Sequence, residues 1–178
     1  MSLTIRPETP SDYPVITEVN DLAFGQPAEG KLVEDLRKNP KFVTELSLVA
    51  EANGEIVGHI LFFPIVIRSE EGKEKETISL APLAVRPEFQ KKGIGGKLIR
   101  GGLKVCRQLG YDSVIVFGHP EYYPKFGFKQ AGTWGIKDTF GAPAEAFMAL
   151  ELKEGVLEGA SGVVELPEEF KVPEEHNY

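Results

Sequence analysis

The chain has 178 residues, of which 42% are hydrophobic and 26% are charged, and this length and composition predict one globular domain with a full core. Its formal net charge of −7 and pI near 5.1 argue against a general nucleic-acid or anionic-membrane role, because both partners call for a basic face. The single cysteine, Cys106, excludes an intrachain disulfide, and no signal-like or membrane-length apolar run is seen, so we expect a cytoplasmic monomer or homodimer.

A short strand at residues 3–6 opens the predicted fold, and a helix follows it. Ser11, just after a proline, is expected to cap this helix, and Gly25 is expected to end it after Phe24. The apolar residues of the helix that should face inward are Val15, Ile16, Val19 and Leu22. A second helix is expected to end near Asn39.

Three strands are predicted next, at residues 46–52, 55–69 and 76–85. The dipeptide Asn53-Gly54 predicts a tight hairpin turn between the first two. The middle strand is apolar on both of its alternating faces, which is typical of a strand buried on both sides. We therefore expect helices on each face of the sheet.

The most informative stretch is LAPLAVRPEFQKKGIGG at residues 80–96, where an apolar strand passes through a turn into a glycine-rich helix start. Such a start predicts an anion site, because the first helical N–H groups lack helical partners and glycine lets a phosphate approach the main chain. A Walker loop is excluded, because it would need glycine at position 91 and Ser or Thr at position 98, where this chain has Lys91 and Leu98. The dinucleotide fingerprint also fails, since it needs a small residue at Leu98.

Basic residues gather around this run although the protein is acidic overall. Two interpretations stay open, a solvated helix face and a cationic rim for the phosphates of a ligand. The basic residues are Arg86, Lys91, Lys92, Lys97, Arg100, Lys104 and Arg107.

A helix at residues 94–109, ended by Gly110, and a strand at residues 113–117 should form a βαβ unit with the strand before the glycine run. A short helix is expected at residues 122–126. The stripe of the long helix that should face the core comprises Leu98, Ile99, Gly102, Leu103, Cys106 and Leu109.

The last part of the chain predicts strands near residues 129–134 and 146–152. Beyond Lys153 the composition shifts to Gly, Glu and Pro, with one further strand expected at residues 162–166. We therefore expect a domain at residues 1–152 and a C-terminal extension at residues 153–178.

Gln90, Gly93 and Gly95 resemble the QxxGxG signature of the GNAT superfamily of N-acetyltransferases, and YYPKFGF at residues 122–128 resembles a second landmark of that family. The VGHILF and FGAPAEAFMALEL segments look like its bacterial YhbS-like subgroup. The resemblance, which extends over roughly residues 3–152, implies an α/β GNAT-like acyl-CoA acyltransferase fold. In that fold a mixed central sheet contains splayed parallel strands and is flanked by helices.

The resemblance also implies an acetyl-CoA-dependent N-acetyltransferase that moves the acetyl group directly to a primary amine of a small molecule, protein or peptide. Acetyl-CoA would be the cosubstrate, and no metal, nucleic acid or membrane is implied. The family assigns acceptor specificity to segments that correspond to residues 24–38 and 132–146. The alternative is a non-catalytic acyl-CoA-binding sensor or scaffold module, which would share the glycine run.

For the site, the resemblance implies that the backbone N–H of Leu83 meets the acetyl carbonyl, where it would stabilise an oxyanion, and that Val85 pairs with pantetheine. Tyr123, four residues before Gly127, is implied as the acid that protonates the leaving thiolate, with Tyr122 as the alternative. The implied cofactor-binding residues are Leu83, Ala84, Val85, Gln90, Lys91, Lys92, Gly93, Ile94, Gly95, Gly96 and Tyr122.

The general base stays open. His59 lies on the central strand, where a hydrogen-bonded core histidine is the favoured interpretation. His119 borders the expected cofactor gap but equally suits a role in a turn. Glu45, Glu51 and Glu121 are further candidates that the sequence does not rank. The histidines have no ligand spacing, so no metal site is expected.

Overall fold

The computed structural model describes residues 2–170. The chain divides into two compact units, one formed by Met1–Phe63 with Ala81–Val105 and the other by Pro64–Leu80 with Cys106–Tyr178. The main elements are β1 (Leu3–Pro7), α1 (Tyr13–Phe24), α2 (Ala28–Arg37), β2 (Ser47–Ala52), β3 (Glu55–Arg68), β4 (Glu74–Val85), α3 (Ile94–Gln108), β5 (Ser113–Phe117), β6 (Lys129–Gln130), β7 (Ile136–Lys137), β8 (Phe147–Glu151) and β9 (Gly162–Glu165).

The first unit is built on the neighbouring strands β1, β2, β3 and β4. Strand β2 pairs antiparallel with both β1 and β3. The turn between β2 and β3 has positive φ at Asn53 (53°) and Gly54 (79°), which is the backbone that the Asn-Gly pair predicted. The predicted strands of this unit are therefore confirmed to within two residues at each end.

Helix α1 differs from its prediction at its start and at Leu22. A 3-10 turn at Pro10–Asp12 precedes it, and the Asp12 carboxylate accepts a bond from the N–H of Thr9 at 2.7 Å, so Ser11 is not the cap. Gly25 ends the helix with φ of 65°, as expected. The prediction that Leu22 faces the core is wrong, since its side chain is 47% exposed. The buried face of the helix contains Ile16, Val19 and Asn20, and the helical repeat brings this face next to residue 23.

Strand β3 carries helices on both of its faces, as its apolar pattern predicted. A Cβ at Gly58 would point at Leu98 and Ile94 of α3, whereas the next residue, His59, contacts Asn20 of α1. Further along, α3 lies very close to the strand, since a Cβ at Gly102 would fall 2.1 Å from Cε2 of Phe62. The unit is therefore a helix–sheet–helix sandwich.

The second unit contains the parallel pair. Strands β4 and β5 pair in register at Ser79 with Ile115 and at Leu80 with Val116. Strand β8 pairs antiparallel with β5 and with β6. The strand predicted near residues 129–134 is wrong beyond Gln130, because a 3-10 helix occupies Ala131–Trp134.

Strand β9 lies within the predicted C-terminal extension. It pairs antiparallel with residues 66–68 of β3 and parallel with β7. Beyond residue 152 the buried apolar side chains include Leu157, Ala160, Val164 and Phe170. Independent folding of residues 1–152 stays a prediction. A truncation after residue 152 would test it, because it removes β9 from its pairing with β3.

Candidate active site

Strand β4 leads into α3 through what we call the glycine loop, residues 86–96. Lys91 and Gly93 both have positive φ, 63° and 83°, so the chain turns sharply just before the helix. The N–H of Lys97 donates to the Gly93 carbonyl at 3.2 Å and is the first helical bond. The N–H groups of residues 94–96 therefore have no preceding helical carbonyl, which is the backbone arrangement that the sequence predicted, and anion binding there stays a prediction.

The side chain of Gln90 links this loop to the preceding strand, β4, by a hydrogen bond. Its Nε2 donates to the main-chain carbonyl of Val85 at 3.0 Å. Gln90 thus fixes where β4 ends relative to the helix start, a positioning role that its place in the motif did not reveal. A direct contact between Gln90 and a cofactor stays a prediction.

Arg86 does not belong to the cationic rim. It is buried, its Nε donates to the Ile56 carbonyl at 2.8 Å, and its Nη1 contacts Glu18 at 3.3 Å. The cause is the backbone, because the Arg86 N–H bonds to Val57 at 2.8 Å and holds the residue beside β3. The exposed basic residues of the run are Lys91, Lys92, Lys97, Arg100, Lys104 and Arg107.

The parallel ladder between β4 and β5 comprises two residue pairs and ends at Leu80. Strand β4 nevertheless continues to Val85. In this last stretch Ala84 is buried, whereas Leu83 and Val85 are half-buried on the alternate face. The last residues of β4 therefore extend beyond the part of the strand that pairs with β5.

Tyr123 begins a 3-10 helix, Tyr123–Phe126, and is 7% exposed. Its ring packs against Gly118, where a Cβ would fall 2.3 Å from its Cε2, and edge-on to Phe128 at 5.6 Å. Burial, with a smaller effect of Tyr122, raises the pKa of the Tyr123 phenol well above its usual 10. The hydroxyl therefore keeps its proton at neutral pH. Tyr122 is half-buried, with its ring 5.2 Å from that of Tyr123.

The candidates for a general base differ in exposure. His119, Glu121 and Glu45 are exposed. Glu51 is half-buried and accepts a bond from Nε of Arg6 at 2.9 Å. These contacts do not single out one of them.

His59 is fully buried in what we call the His59 network. Asn20 donates to its Nδ1 (3.2 Å), so the ring proton is on Nε2, which lies 2.9 Å from Oγ of Ser47. Ser47 in turn donates to Glu8, and Arg37 donates to the same carboxylate at 2.8 and 3.1 Å. Burial, and then Arg37, lowers the pKa of His59 to about 3, so the favoured interpretation as a core histidine agrees with the structure.

The thiol of Cys106 is poorly placed for covalent catalysis. Cys106 is fully buried, and burial raises the pKa of its thiol to about 12, which disfavours an acetyl-cysteine intermediate. Within residues 2–170 there is no group of three or more His, Cys, Asp or Glu placed to hold a metal ion, and His176 lies outside the described residues. No helix in the described part of the chain is long and apolar enough to cross a membrane.

Comparison with known proteins agrees with this architecture. A sequence model of the acetyltransferase (GNAT) family matches residues 14–128. An uncharacterised N-acetyltransferase, YhbS, of Escherichia coli K12 is 33% identical over 169 residues, which cover 94% of this chain and 98% of YhbS.

Two solved structures are similar along almost the whole chain. The E. coli YhbS structure in complex with CoA has a TM-score of 0.86 at 31% identity and covers 94% of this chain and 91% of its own. A GNAT acetyltransferase of Brucella melitensis in complex with acetyl-CoA has a TM-score of 0.77 at 33% identity, covering 95% and 98%. The predicted GNAT-like fold is confirmed.

Proposed function

The chain belongs to the acetyltransferase (GNAT) family, and we propose that it binds acetyl-CoA and transfers the acetyl group directly to a primary amine of a small molecule, protein or peptide. The observation that carries the proposal is the helix start at residues 94–96, preceded by an exposed loop with two positive-φ residues. The similarity of the whole chain to proteins solved with CoA or acetyl-CoA bound supports the same ligand here.

The cofactor would be held mainly by main-chain groups. Its pyrophosphate would accept bonds from N–H groups between Lys92 and Gly96, where helix polarity also favours an anion. Exposed lysines of the rim would add attraction that depends on salt. The pantetheine arm would lie along residues 83–85, pairing with Val85, and Tyr122 would contact the arm near its thiol end.

The chemistry needs three events at the acetyl carbon. The amine, after losing a proton, adds to the carbonyl, and the N–H of Leu83 would donate to the oxygen as it becomes an oxyanion. The carbon–sulfur bond then breaks, and Tyr123 would deliver its phenolic proton to the departing thiolate. The nitrogen of the new amide loses its second proton, which would restore the Tyr123 hydroxyl through water. The phenol of Tyr123 is protonated at neutral pH and so has a proton to give, while burial, by raising its pKa, makes it a weaker acid than an exposed tyrosine.

The amine proton must leave through a base that stays unassigned. His119 and Glu121 are exposed on the segment that precedes Tyr123, so either could accept the proton directly or through water. Substitution of each, with the pH dependence of kcat/KM as readout, would separate the two. A profile unchanged in both variants would leave Glu45, Glu51 and solvent water as the remaining proton acceptors.

The central test is Gly95→Asp, which places a carboxylate at the expected phosphate position. We expect acetyl-CoA affinity to fall at least about 100-fold by calorimetry, since a side chain and a like charge both oppose the ligand. Gly95→Asn, of equal shape but no charge, is the matched control and should fall less. Unchanged affinity in a folded Gly95→Asp protein would remove the proposal.

Catalysis is tested separately from binding. Release of the coenzyme A thiol is followed with acetyl-CoA and a panel of primary amines. Release that depends on the amine supports transfer. Tight acetyl-CoA binding without release, over the whole panel, would instead support the non-catalytic acyl-CoA-binding alternative.

A further inference from the structure

Three phenylalanines form a contiguous aromatic wall in the second unit. Phe117 stacks on Phe147 at 4.8 Å between centroids, and Phe140 meets Phe117 edge-on at 5.9 Å. Phe117 and Phe147 are directly opposite each other in the β5–β8 ladder. Phe117 also follows Val116, the last residue of β5 that pairs with β4, so the wall begins where the parallel ladder ends.

The aromatic wall and Tyr123 lie on different faces of this chain end. Tyr123 packs against Gly118, the residue after Phe117. Successive residues of an extended strand point to opposite faces, so the ring of Phe117 points away from the face that Tyr123 occupies. The apolar surface is therefore separate from the face on which Tyr123 would meet the leaving thiolate.

The wall is open to a ligand. Phe140 is 37% exposed although it contacts Phe117, and Phe117 is itself only half-buried. Phe140 is held in a tight turn, because the N–H of Ala142 donates to Oδ2 of Asp138 at 3.0 Å. A partly exposed ring that is fixed in place offers a flat surface on which another ring can pack.

The charge beside the wall is negative. Residues 138–145 include Asp138 and Glu145 and no basic residue. The preceding Lys137 lines a different groove, together with Arg68 and Glu165. The loop that carries Phe140 is therefore acidic, and an acidic loop beside apolar rings complements a ligand that joins an apolar body to a positive charge.

We infer that the acetyl acceptor is a primary amine carrying an aromatic ring, which packs on Phe117 and Phe140 while the ammonium group is attracted by Asp138 and Glu145. This inference rests on the proposed function, since it names the substrate class of the same reaction. A polyamine fits less well, because a second ammonium group would lose water against the apolar rings. Pockets of this kind combine an apolar surface with a few placed polar groups.

The test compares kcat/KM for three probes, 2-phenylethylamine, n-butylamine and 1,4-diaminobutane, by release of the coenzyme A thiol. We expect 2-phenylethylamine to be preferred by roughly 10- to 100-fold, the range that apolar contacts in a pocket supply. Phe140→Ala should remove most of that preference, because kcat/KM for 2-phenylethylamine should fall far more than that for n-butylamine, while acetyl-CoA affinity stays unchanged. Leu109→Ala, which removes an apolar side chain of similar exposure (46%), is the control and should change nothing.

The outcomes distinguish failure of the aromatic acceptor from failure of amine acetylation itself. Equal turnover of 2-phenylethylamine and n-butylamine, or preference for 1,4-diaminobutane, would overturn the aromatic acceptor and leave amine acetylation in place. A preference for 2-phenylethylamine that survives Phe140→Ala would overturn the role of the aromatic wall. If acetyl-CoA binds but no amine is acetylated, the proposed function fails and takes this inference with it.

Discussion

The glycine loop and the His59 network lie in the same compact unit, yet they are built in opposite ways. The glycine loop is one contiguous run, is largely exposed, and offers main-chain N–H groups. The His59 network joins side chains from far apart in the sequence, for example Ser47 with Glu8, and its histidine and serine are fully buried. Changes in the loop should therefore alter ligand binding, whereas changes in the network should alter stability.

The largest expected effect falls on chemistry. Tyr123→Phe keeps the ring and removes only the hydroxyl, so it should lower kcat about 10²- to 10⁴-fold, the usual contribution of a general acid. Acetyl-CoA affinity and the free energy of unfolding should change little. Steady-state kinetics with an accepted amine, calorimetry and urea unfolding measure the three quantities.

Tyr122→Phe is the control for that experiment. A larger loss of turnover in this variant would transfer the acid role to Tyr122. Normal turnover in both variants would leave protonation of the thiolate to water and would overturn the tyrosine mechanism.

The largest expected effect on stability comes from Glu8→Ala in the His59 network. Glu8 is inaccessible to solvent as a side chain and pairs with Arg37, which is also largely buried. Loss of the carboxylate leaves a buried cation without its partner, so the free energy of unfolding should fall by about 3–5 kcal/mol. Urea unfolding gives this value, and a folded variant should still bind acetyl-CoA.

Asp35→Ala is the matched control, because it also removes a carboxylate from an ion pair. The pair of Asp35 with Lys31 is exposed, and its loss should cost no more than about 0.5 kcal/mol. Equal losses of unfolding free energy in the two variants would show that the buried Glu8–Arg37 pair stabilises the fold no more than the exposed Lys31–Asp35 pair.

The pH dependence of stability isolates His59. In the unfolded chain a histidine gains a proton as the pH falls through about 6.5, whereas folded His59 does so only near its pKa of about 3. Unfolding thus takes up a proton between these values, so His59 lowers the free energy of unfolding by up to ~1.4 kcal/mol per unit as pH falls through this window.

His59→Gln removes the titrating group and should flatten this slope between pH 6.5 and 5, measured by urea unfolding at each pH. The exposed residue His119 supplies the control, since His119→Gln should keep the slope. A slope that persists in His59→Gln would assign the proton uptake to other groups.

The smallest effect is expected at the cationic rim. Replacing both Lys91 and Lys92 by alanine should weaken acetyl-CoA binding by about 2- to 10-fold at low salt, because exposed charges are each worth little. The salt dependence of the affinity should also decrease. Lys129 and Lys153, exposed lysines outside the loop, give the control double variant. Identical salt dependence in the two double variants would reduce Lys91 and Lys92 to solvated surface.

The glycine loop could be predicted because its conformation is set by neighbours in the sequence. Gly93 permits the turn and the helix start follows within a few residues, so no distant contact has to be known. The candidate role of Tyr123 comes from the same kind of local pattern, its place four residues before Gly127 in the motif that resembles the family, and it stays a prediction. Its burial against Gly118 and the resulting pKa shift needed the three-dimensional structure.

The error at Arg86 and two omissions share one cause, which is long-range contact. Arg86 has the composition of a rim residue, but its side chain bonds to Ile56, 30 positions away. The His59 network was missed because its bonds join residues as far as 39 positions apart, and neither Glu8 nor Ser47 stands out in the sequence. Strand pairing of β9 with β3 was not evident, since residues 163–165 carry no signal of their partner.

The close approach of α3 to β3 at Gly102 has a consequence for how such chains drift over evolutionary time. A larger residue there would overlap the ring of Phe62, and because this ring is enclosed in a packed core, we expect the helix to move outward. The start of α3, which carries the anion-binding N–H groups, would move with it, because a helix shifts as a stiff body. A descendant could thus keep Gln90, Gly93 and Gly95 and still lose coenzyme binding, so family membership read from the motif alone would overstate activity.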